Sequence, residues 1–377
     1  MPALDPLPPS PARRSWRILH SESSRGWGGQ EHRVMAELRG FQMRGHEVFL
    51  VAHPESQVLR RAKEFGIGVV PCLFDRKRLP LDALQLAFWL RLNKINIVNT
   101  HSSRDGWLLG IAARLARTPF LIRSRHIDVD YPHPSISKHA FTTFADHVLT
   151  TSDRITSHFR RIFPLAAEDI TTLPTGIDTN RFTQEGPRAT LPVQPGTPVV
   201  GMVSVLRYWK GHDTFFRAIH LLRKQRQPIQ FVVVGGGDLP VYQQIAISHG
   251  VGPAVTFLGH REDIPETLRA LDVLCIPSKA HEGVPQIGLQ ALACQTAVVG
   301  SDCGGIPEII REGQTGRIFP ATDHEALARR IVEAIEQKAE TDRMRQEGRC
   351  MVERHHSIDV MLDKLEALYR RYLPGAR

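Results

Sequence analysis

Residues 273–292 are V-L-C-I-P-S-K-A-H-E-G-V-P-Q-I-G-L-Q-A-L, and this stretch predicts the fold class. Its first six residues, V-L-C-I-P-S, are mostly apolar and match a short buried strand, which the loop K-A-H-E-G-V-P follows. The segment from Gln286 onward has a helical pattern, and Pro285 suits the first turn of a helix. A strand, a loop and a helix in this order form the unit from which parallel α/β sheets are built.

The same alternation of strands and helices extends over the rest of the chain. Strands are predicted in W-R-I-L-H (16–20), H-E-V-F-L-V-A (46–52), I-N-I-V-N-T-H (95–101), P-F-L-I-R-S-R-H (119–126) and H-V-L-T-T-S (147–152). A helix is expected over residues 30–43, after the first of these strands. A second series begins with P-V-V-G-M-V-S-V (198–205), and its first helix is expected over residues 213–224. Both series predict βαβ units and parallel sheets.

The two series are separated by a glycine- and proline-rich segment, T-Q-E-G-P-R-A-T-L-P-V-Q-P-G-T-P (183–198), which is typical of a linker. At 377 residues the chain is also too long for one ordinary core. We therefore predict two Rossmann-like domains that face each other across a cleft. The predicted segments are a disordered leader (1–15), an N-terminal domain (16–185), a linker (186–198), a C-terminal domain (199–355) and an amphipathic C-terminal helix (356–377).

The composition, with 42% hydrophobic and 23% charged residues, is that of a soluble globular protein. No apolar run approaches the ~18 residues that a membrane-spanning helix needs. The proline-rich N-terminus lacks the apolar segment of a secretory signal. Five widely spaced cysteines without a C-x-x-C pair argue against both a disulfide framework and a zinc site. These features predict a cytoplasmic protein.

The positive charge is concentrated in the first half of the chain. Residues 1–185 contain 25 Lys and Arg against 18 Asp and Glu, a net charge of +7, whereas the remainder contains 23 against 21, a net charge of +2. This surplus indicates an anionic partner, such as an acidic lipid surface, a phosphorylated acceptor or nucleic acid, or it serves only solubility. Nucleic acid is the least favoured partner, because no nucleic-acid-binding motif accompanies the charge.

Two segments that follow predicted strands contain residues suited to binding phosphate. In R-G-W-G-G-Q-E-H-R-V (25–34), Gly28 and Gly29 would let backbone N–H groups approach an anion at a helix N-terminus, although a tight turn without a ligand explains them equally well. In V-S-V-L-R-Y-W-K-G-H-D (203–213), Arg207 and Lys210 can neutralise a diphosphate. The alternative for these two is a pair of solvated cations, and their position between a strand and a helix favours the ligand.

A third candidate is Glu282, which precedes a predicted helix. The N-terminal amides of this helix would bind an anion, and the Glu282 carboxylate would accept hydrogen bonds from hydroxyl groups. It could instead cap that helix, and Gln290 could be a satisfied buried amide. The D-V-D triplet at 128–130 is too short to predict a metal site, and no H-E dipeptide extends to H-E-x-x-H. His101 and His126 each end a predicted strand and are expected to face the cleft.

Segments throughout the chain also match the pattern of one enzyme family. They are G-G-Q-E-H-R-V-M-A-E-L-R-G-F-Q-M-R-G-H-E-V (28–48), L-P-T-G-I-D-T-N-R-F (173–182), V-L-R-Y-W-K-G-H-D (205–213), F-V-V-V-G-G-G-D (231–238), F-L-G-H-R-E-D-I (257–264) and P-S-K-A-H-E-G-V-P-Q-I-G-L-Q-A-L-A-C-Q-T-A-V-V-G-S-D-C-G-G-I-P-E-I-I (277–310). In this order they resemble the family 4 retaining glycosyltransferases, whose fold is called GT-B and which include bacterial lipopolysaccharide and cell-surface polysaccharide enzymes. The resemblance covers residues 16–320 and is specific for the family but not for the substrate.

The resemblance implies a role for each residue that matches a family motif. Arg207 and Lys210 would bind the donor diphosphate, and Glu282 the hydroxyl groups of the donor sugar. His126 would lie near the donor sugar and the acceptor, and the last helix would cross back onto the N-terminal, acceptor-binding domain. From the residues alone, that helix could instead simply cap the second domain. The other implied donor contacts are Gly28 and Gly29 from the first domain, Gly283, Val284 and Pro285 at the phosphates, Gly259 and Arg261 in the loop 259–263 at the base, and Gln290 at the ribose.

Gln290 departs from the family pattern, in which a glutamate binds the ribose hydroxyls. A carboxylate accepts from two hydroxyls, whereas an amide offers one acceptor and two donors. Since ribose hydroxyls can also accept, we expect Gln290 to bind more weakly, at a cost on the order of 1 kcal/mol.

The predicted function is transfer of a sugar, with retention, from a nucleotide diphosphosugar to an acceptor hydroxyl in bacterial cell-envelope synthesis. The donor is expected to be a UDP- or GDP-sugar, with no other cofactor and no metal, because Arg207, Lys210 and two helix N-termini would stabilise the leaving group. The expected acceptor is a glycan or glycolipid, and the protein would lie in the cytoplasm or at the inner face of the membrane, where its basic domain could contact anionic lipid. The alternatives are a GT-B-type epimerase or phosphorylase, and a non-catalytic sugar-nucleotide- or glycan-binding protein.

Overall fold

The structure, a computed structural model, describes residues 15–128, 131 and 133–374. Apart from Ser15, the predicted leader lies outside the described residues, as does Asp130 of the D-V-D triplet. None of the helices in the described part of the chain combines the length and the apolarity that a membrane crossing requires.

The described residues form thirteen strands in two sheets. The strands are β1 (Arg17–Glu22), β2 (Glu47–Ala52), β3 (Gly68–Pro71), β4 (Ile97–Thr100), β5 (Phe120–Arg125), β6 (His147–Thr150), β7 (Ile170–Thr172), β8 (Val199–Val203), β9 (Gln230–Val234), β10 (Val255–Gly259), β11 (Val273–Ile276), β12 (Ala297–Ser301) and β13 (Arg317–Phe319).

Fourteen α-helices connect or follow these strands in the same described ranges. They are α1 (Gly29–Met43), α2 (Gln57–Glu64), α3 (Leu79–Leu92), α4 (Ser103–Ala116), α5 (Pro134–Thr142), α6 (Asp153–Ile162), α7 (His212–Lys224), α8 (Leu239–Ser248), α9 (Ile264–Ala270), α10 (Gln286–Ala293), α11 (Ile306–Ile309), α12 (His324–Glu336), α13 (Lys338–His355) and α14 (Ile358–Tyr372). The predicted helices over 30–43 and 213–224 correspond to α1 and α7, each of which begins one residue earlier.

The first sheet has the order β3-β2-β1-β4-β5-β6-β7, and the second has the order β10-β9-β8-β11-β12-β13. The strand pairs with a defined register are parallel in both sheets. In each sheet the first strand of its series lies beside the fourth, so the winding direction reverses between β1 and β4 and between β8 and β11. The predicted α/β class with two Rossmann-like sheets is therefore confirmed.

Continuous apolar runs explain why these sheets are covered on both faces. In β8 all five residues are buried, and in β11 all four are buried. Strands buried on both faces are typical of parallel sheets whose crossover helices pack on either side. Side chains at helix starts support the connections, since Ser152 Oγ accepts from the Ile155 amide before α6 and Asp323 Oδ1 accepts from the Ala326 amide before α12.

The chain divides into two compact units. The first contains the described chain up to Ser124, Ser135–Val148 and the chain from Leu362 onward, and the second contains Arg125–Pro134 and Leu149–Met361. The predicted boundaries at residues 185 and 199 stay predictions.

Most of the last helix, α14, belongs to the first unit, as predicted. The Tyr369 ring is fully buried and meets the rings of Trp16, Phe41 and Phe120. On the same helix, Glu366 Oε1 accepts from Arg44 Nη1 at 2.9 Å. Aromatic burial of this size contributes a large part of the packing energy of a helix, which explains why α14 stays on this unit.

Candidate active site

The predicted donor-binding residues of the second unit lie at the centre of the second sheet. Strands β8 and β11 pair in parallel there, at the point where the winding direction reverses. In open α/β sheets, ligands bind outside the carboxyl ends of the strands at such a point. The loop after β8 contains Arg207 and Lys210, and the loop after β11 contains Glu282. The fold therefore brings together two segments that are about seventy residues apart in sequence.

An ion pair joins these two loops. Lys210 Nζ donates to both carboxylate oxygens of Glu282, each at 2.9 Å. The Glu282 side chain is 8% exposed and the Lys210 side chain is 25% exposed. A carboxylate this deeply buried needs a partner, and the ammonium provides it. Because an ammonium has three N–H donors, Lys210 can also bind an additional acceptor.

The main chain holds the β8 loop against the β11 loop. The Lys279 amide donates to the Trp209 carbonyl at 2.7 Å. Gly211, with φ +80°, ends the turn that contains Lys210, and a Cβ at this position would lie 1.8 Å from the Pro277 carbonyl oxygen. Only glycine fits this conformation and this distance, so the position of Lys210 depends on Gly211.

A similar close approach fixes the backbone on either side of Glu282. A Cβ on Gly283 would lie 2.5 Å from Thr151 Oγ1 and 2.9 Å from the His126 carbonyl oxygen. Gly304, with φ +60°, leaves no room for a Cβ because the Glu282 carbonyl oxygen would be 2.1 Å away. The Gly305 amide donates to that same carbonyl at 3.2 Å. The Glu282 loop is therefore held between two other segments by contacts that only glycines allow.

Helix α10 begins directly after this loop, with Pro285 in an extended conformation before its first residue. Val284 is buried, and Gln286 Nε2 donates to Thr175 Oγ1 at 3.3 Å. The first amides of a helix lack partners within the helix, and the helix dipole favours an anion there. Gln290 lies one turn further along α10 and is half-buried.

The remaining predicted donor contacts of this unit lie at the same edge of the sheet. The Arg207 side chain is exposed, and its guanidinium lies 5.9 Å from the centre of the Trp209 ring. Gly259, with φ +66°, ends β10. Two residues later, Arg261 Nε donates to Asp263 Oδ1 at 2.9 Å, and this bond holds the pKa of the Asp263 carboxyl below its ordinary value.

Comparison with known protein families decides the identity of the chain. Residues 27–181 match the family described as Glycosyltransferase Family 4, and residues 184–351 match the family described as Glycosyl transferases group 1. The chain is a glycosyltransferase, since the two matches together span most of it. The two matches follow each other along the chain, and the second contains the Lys210–Glu282 pair.

Characterised relatives of this glycosyltransferase include mannosyltransferases. A GDP-mannose-dependent alpha-(1-6)-phosphatidylinositol monomannoside mannosyltransferase of Mycolicibacterium smegmatis is 29% identical over 88% of this chain and 83% of its own length. The lipopolysaccharide core biosynthesis mannosyltransferase LpcC of Rhizobium leguminosarum is 35% identical over a shorter stretch, 37% of this chain and 42% of its own.

Solved structures share the fold. A glycosyltransferase from Rickettsia africae aligns with a TM-score of 0.86 at 17% identity, over 96% of this chain and all of its own. Anabaena Alr3699/HepE in complex with UDP-glucose aligns with a TM-score of 0.81 at 19% identity, over 94% of this chain and 99% of its own. At these identities the likeness establishes the fold alone.

The glycines predicted to approach a phosphate from the first domain lie at the start of α1. The Gly28 amide donates to Glu31 Oε2 at 2.9 Å, which satisfies one backbone donor at the start of the helix. A tight turn at a helix start, the alternative weighed for this segment, is therefore present. Phosphate binding by Gly28 and Gly29 stays a prediction.

The two histidines at predicted strand ends have different surroundings. His126 is half-buried, and its carbonyl oxygen accepts from Thr151 Oγ1 at 3.1 Å beside Gly283. His101 is 1% exposed, and its Nε2 lies 2.9 Å from His20 Nδ1. The expectation that His101 faces a cleft stays a prediction.

Residues that were not singled out from the sequence also shape the site of this glycosyltransferase. A Cβ on Gly235 (φ +155°), after β9, would lie 1.7 Å from the Ser204 carbonyl oxygen, so only glycine lets this loop pack on the β8 loop. Glu308 accepts from the amides of Asp153 and Arg154 and ties α11 to the start of α6. The G-G-G run after a strand was a sequence signal for Gly235, whereas no sequence pattern pointed to Glu308.

His212, the first residue of α7, was also missed. It is 1% exposed, and burial, reinforced by the charge of Lys210, lowers its pKa to about 4. The imidazole is therefore neutral at neutral pH and adds no positive charge beside the lysine.

One group among the described His, Cys, Asp and Glu residues has the spacing of metal ligands. It consists of His20, Glu37 and His101, which are all buried in the first unit. Arg33 Nε donates to Glu37 Oε1 at 2.6 Å, and the two imidazoles lie within hydrogen-bonding distance of each other. A guanidinium in contact with the carboxylate opposes a second cation, so these residues fit a metal poorly.

Proposed function

We propose that this glycosyltransferase transfers a sugar from a nucleotide diphosphosugar to an acceptor hydroxyl, with retention of the anomeric configuration, in bacterial cell-envelope glycan synthesis. The observation that carries this proposal is the Lys210–Glu282 pair at the β8–β11 switch point. A cation and a hydroxyl-accepting carboxylate side by side suit a ligand that combines a phosphate with a sugar.

In this proposal the ion pair rearranges when the donor binds. The Lys210 ammonium turns part of its hydrogen bonding toward the diphosphate, and the Glu282 carboxylate accepts from the sugar hydroxyls instead. Arg207 and the amides at the start of α10 add to the positive potential. The bond between the anomeric carbon and the phosphate oxygen breaks while a bond to the acceptor oxygen forms, and the departing phosphate oxygen takes the acceptor's proton. Cations aimed at the leaving group stabilise it most in the transition state.

We propose GDP-mannose as the donor, because a relative that matches 88% of this chain is a GDP-mannose-dependent mannosyltransferase. A UDP-sugar is the alternative, supported by the UDP complexes of Anabaena Alr3699/HepE. The expected base contact is the loop of Gly259 and Arg261, and the expected ribose contact is Gln290.

The acceptor is proposed to be a lipid-anchored glycan. The phosphatidylinositol mannoside and lipopolysaccharide core named for the relatives support this choice. The net charge of +7 in residues 1–185 supports a peripheral contact with anionic lipid at the inner face of the cytoplasmic membrane.

Donor choice is tested by thermal unfolding with GDP-mannose, UDP-glucose and free GDP. A ligand at 100 times its Kd stabilises the folded state by about 2.7 kcal/mol, so GDP-mannose should raise the Tm by a measurable amount. The matched variant Lys210→Ala should respond much less. No response to any sugar nucleotide would remove the support for this site.

Retention and independence from metals have separate tests. Proton NMR of the product formed from GDP-mannose, an α-linked donor, should show an α linkage, whereas a β linkage would disprove retention. Transfer should continue in EDTA, because Lys210 and Arg207 are proposed to take the part of a divalent cation. Loss of transfer in EDTA that Mg²⁺ restores would disprove the second point.

Gln290 favours one other function, a sugar-nucleotide-binding protein without transferase activity. Calorimetry that detects donor binding, together with no transfer to membrane extracts or glycan libraries, would support it. Consumption of the donor without any acceptor, giving an isomeric sugar nucleotide, would instead indicate an epimerase.

A further inference from the structure

Helix α3 in the first unit is apolar on both of its faces. Its inner side packs Ala83, Leu86, Ala87 and Leu90 into the core beside the first sheet. A helix that is apolar all round is normally buried all round. The outer side of α3 is not.

The outer side presents a continuous apolar stripe. Leu81 is 51% exposed, Leu84 61%, Phe88 71% and Leu92 68%. Their spacings of three, four and four residues place them on one side of the helix. Single exposed leucines are common, but a contiguous stripe marks an interaction surface.

Cations lie at both ends of this stripe. Arg76, Lys77 and Arg78 form the turn just before α3, and Arg91 and Lys94 lie at its end, all of them exposed. Residues 75–94 contain these five cations and two acidic residues, a net charge of +3. The acidic residue within the helix, Asp82, is nearly buried and lies 3.5 Å from Arg78 Nε. The exposed stripe therefore contains no carboxylate.

We propose that this surface, the apolar stripe of α3 with the five flanking cations, docks on an anionic lipid bilayer. The inference rests on the proposed function, because a lipid-anchored acceptor requires the enzyme to work at a membrane. A fourteen-residue helix spans about 21 Å, which suits a helix that lies in the plane of the interface. Leucine and phenylalanine side chains enter the boundary between headgroups and acyl chains, and the arginines and lysines remain at the phosphates.

Charge favours a bilayer over a second copy of this chain. In a two-fold symmetric pair each surface would face an identical one, and the cations at one end of α3 would meet cations of the other copy. Such like-charge contacts oppose association, whereas an anionic bilayer neutralises all five.

The experiment is flotation of the full chain with vesicles of phosphatidylcholine alone and of phosphatidylcholine mixed with phosphatidylglycerol. The wild type should float with the mixed vesicles and much less with the neutral ones. Leu84→Gln with Phe88→Gln should lower the partition coefficient by at least about tenfold, because two large side chains lose their burial in lipid. The matched control is Val241→Gln with Ile247→Gln on α8, whose side chains are 48% and 56% exposed, and it should float as the wild type does.

The charge contribution is tested with Arg76→Gln, Lys77→Gln and Arg91→Gln combined. Three lost cations should lower binding to the mixed vesicles on the order of a hundredfold and reduce its salt dependence. Its control, Arg223→Gln with Lys224→Gln and Arg226→Gln, removes three exposed cations from the second unit and should change binding little.

Vesicle binding and donor binding are scored separately. Loss of flotation with an unchanged Tm shift by GDP-mannose supports the surface and leaves the donor site intact. Flotation of the wild type without any response to a sugar nucleotide would sustain the lipid surface and refute the proposed function. Equal flotation of the Leu84→Gln, Phe88→Gln variant and the wild type would refute the lipid surface. The lipid surface would also be refuted if sedimentation showed that the apolar stripe of α3 holds two copies of the chain together, and if loss of the stripe left vesicle binding unchanged.

Discussion

The two sheets share the same order over six strands, yet the carboxyl ends of their central strands differ. After β8 and β11 the chain forms loops whose glycines let the backbones touch, and the side chains there include an exposed arginine and a partly exposed lysine. At the carboxyl ends of β1 and β4 the side chains of Glu22 and Asp105 are instead fully buried and accept hydrogen bonds from neighbouring groups.

In the first unit, buried polar side chains fill the region at the carboxyl ends of β1 and β4. Glu22, the last residue of β1, is fully buried and accepts from the Ser24 amide and from Gln30 Nε2. Asp105, in the first turn of α4, is equally buried and accepts from Ser21 Oγ and the His101 amide. Burial, followed by the charge of Asp105, raises the pKa of Glu22 to about 8. At neutral pH Glu22 therefore holds a proton.

The difference shows that strand order alone does not make a ligand site. The topology places loops and helix N-termini at a common point, but side chains decide whether that point stays open. In the second unit glycines let the loops pack closely, and the Lys210 side chain stays partly exposed. In the first unit polar side chains satisfy one another. The following predictions test this contrast.

The largest effect is expected from Lys210→Ala. Removing the cation should lower kcat/KM for sugar transfer on the order of 10²–10³-fold, because charge on the leaving group loses its counter-charge. The control Lys224→Ala removes an exposed lysine at the end of α7 and should leave transfer unchanged. Turnover by Lys210→Ala equal to that of the wild type would contradict an active role for the open switch point.

A somewhat smaller effect is expected from Gly235→Ala. The new Cβ would lie 1.7 Å from the Ser204 carbonyl oxygen at a φ of +155°. We expect the free energy of unfolding to fall by about 2–4 kcal/mol and donor affinity to fall with it. Gly236→Ala is the matched control, since the nearest atom to its Cβ would be 3.7 Å away. Equal melting curves for the two variants would show that the close approach of the loops is not needed.

The buried Glu22 carboxyl at the end of β1 should make the free energy of unfolding depend on pH. Glu22 loses its proton near pH 4.5 in the unfolded chain and near pH 8 in the folded one. Its stabilising contribution is therefore complete below pH 4.5 and is lost as the pH rises through 8, with a slope of at most about 1.4 kcal/mol per pH unit. Glu22→Gln should flatten this part of the urea-unfolding profile.

The control for that profile is Glu64→Gln, an exposed carboxylate on α2 of the same unit. It should keep the wild-type slope between pH 4.5 and 8. A Glu22→Gln profile that declines as steeply as the wild type would mean that Glu22 does not carry the proton.

The smallest effect is expected from Gln290→Glu. A carboxylate at this half-buried position of α10 would accept from two ribose hydroxyls, and the donor Kd should fall about fivefold. Calorimetry with GDP-mannose measures it, with Gln244→Glu on exposed α8 as the control. A Kd that stays the same or rises would show that Gln290 does not contact the ribose.

The sequence predicted the strand–loop–helix order, the pairing of the Arg207–Lys210 and Glu282 loops at one sheet edge, and the return of α14 to the first unit. The strand–loop–helix order follows from local patterns, because apolar periodicity and turn residues are written in adjacent positions. The pairing of the two loops and the return of α14 were implied by the family resemblance. The burial of His101 was not predictable, since a histidine that ends a strand looks the same whether or not another imidazole lies beside it.

By itself the sequence determined which segments become strands and helices and, through its motifs, the glycosyltransferase family. Only the tertiary structure decided which of those residues are exposed to solvent. Leu84 and Leu86 lie two positions apart on α3, and one is 61% exposed while the other is 6% exposed. Glu22 ends one strand and Glu282 lies in the loop after another, but the first carboxylate is satisfied by neutral donors and the second by a lysine. The physical reason is that burial and charge pairing depend on neighbours brought together from distant parts of the chain, which no local pattern encodes.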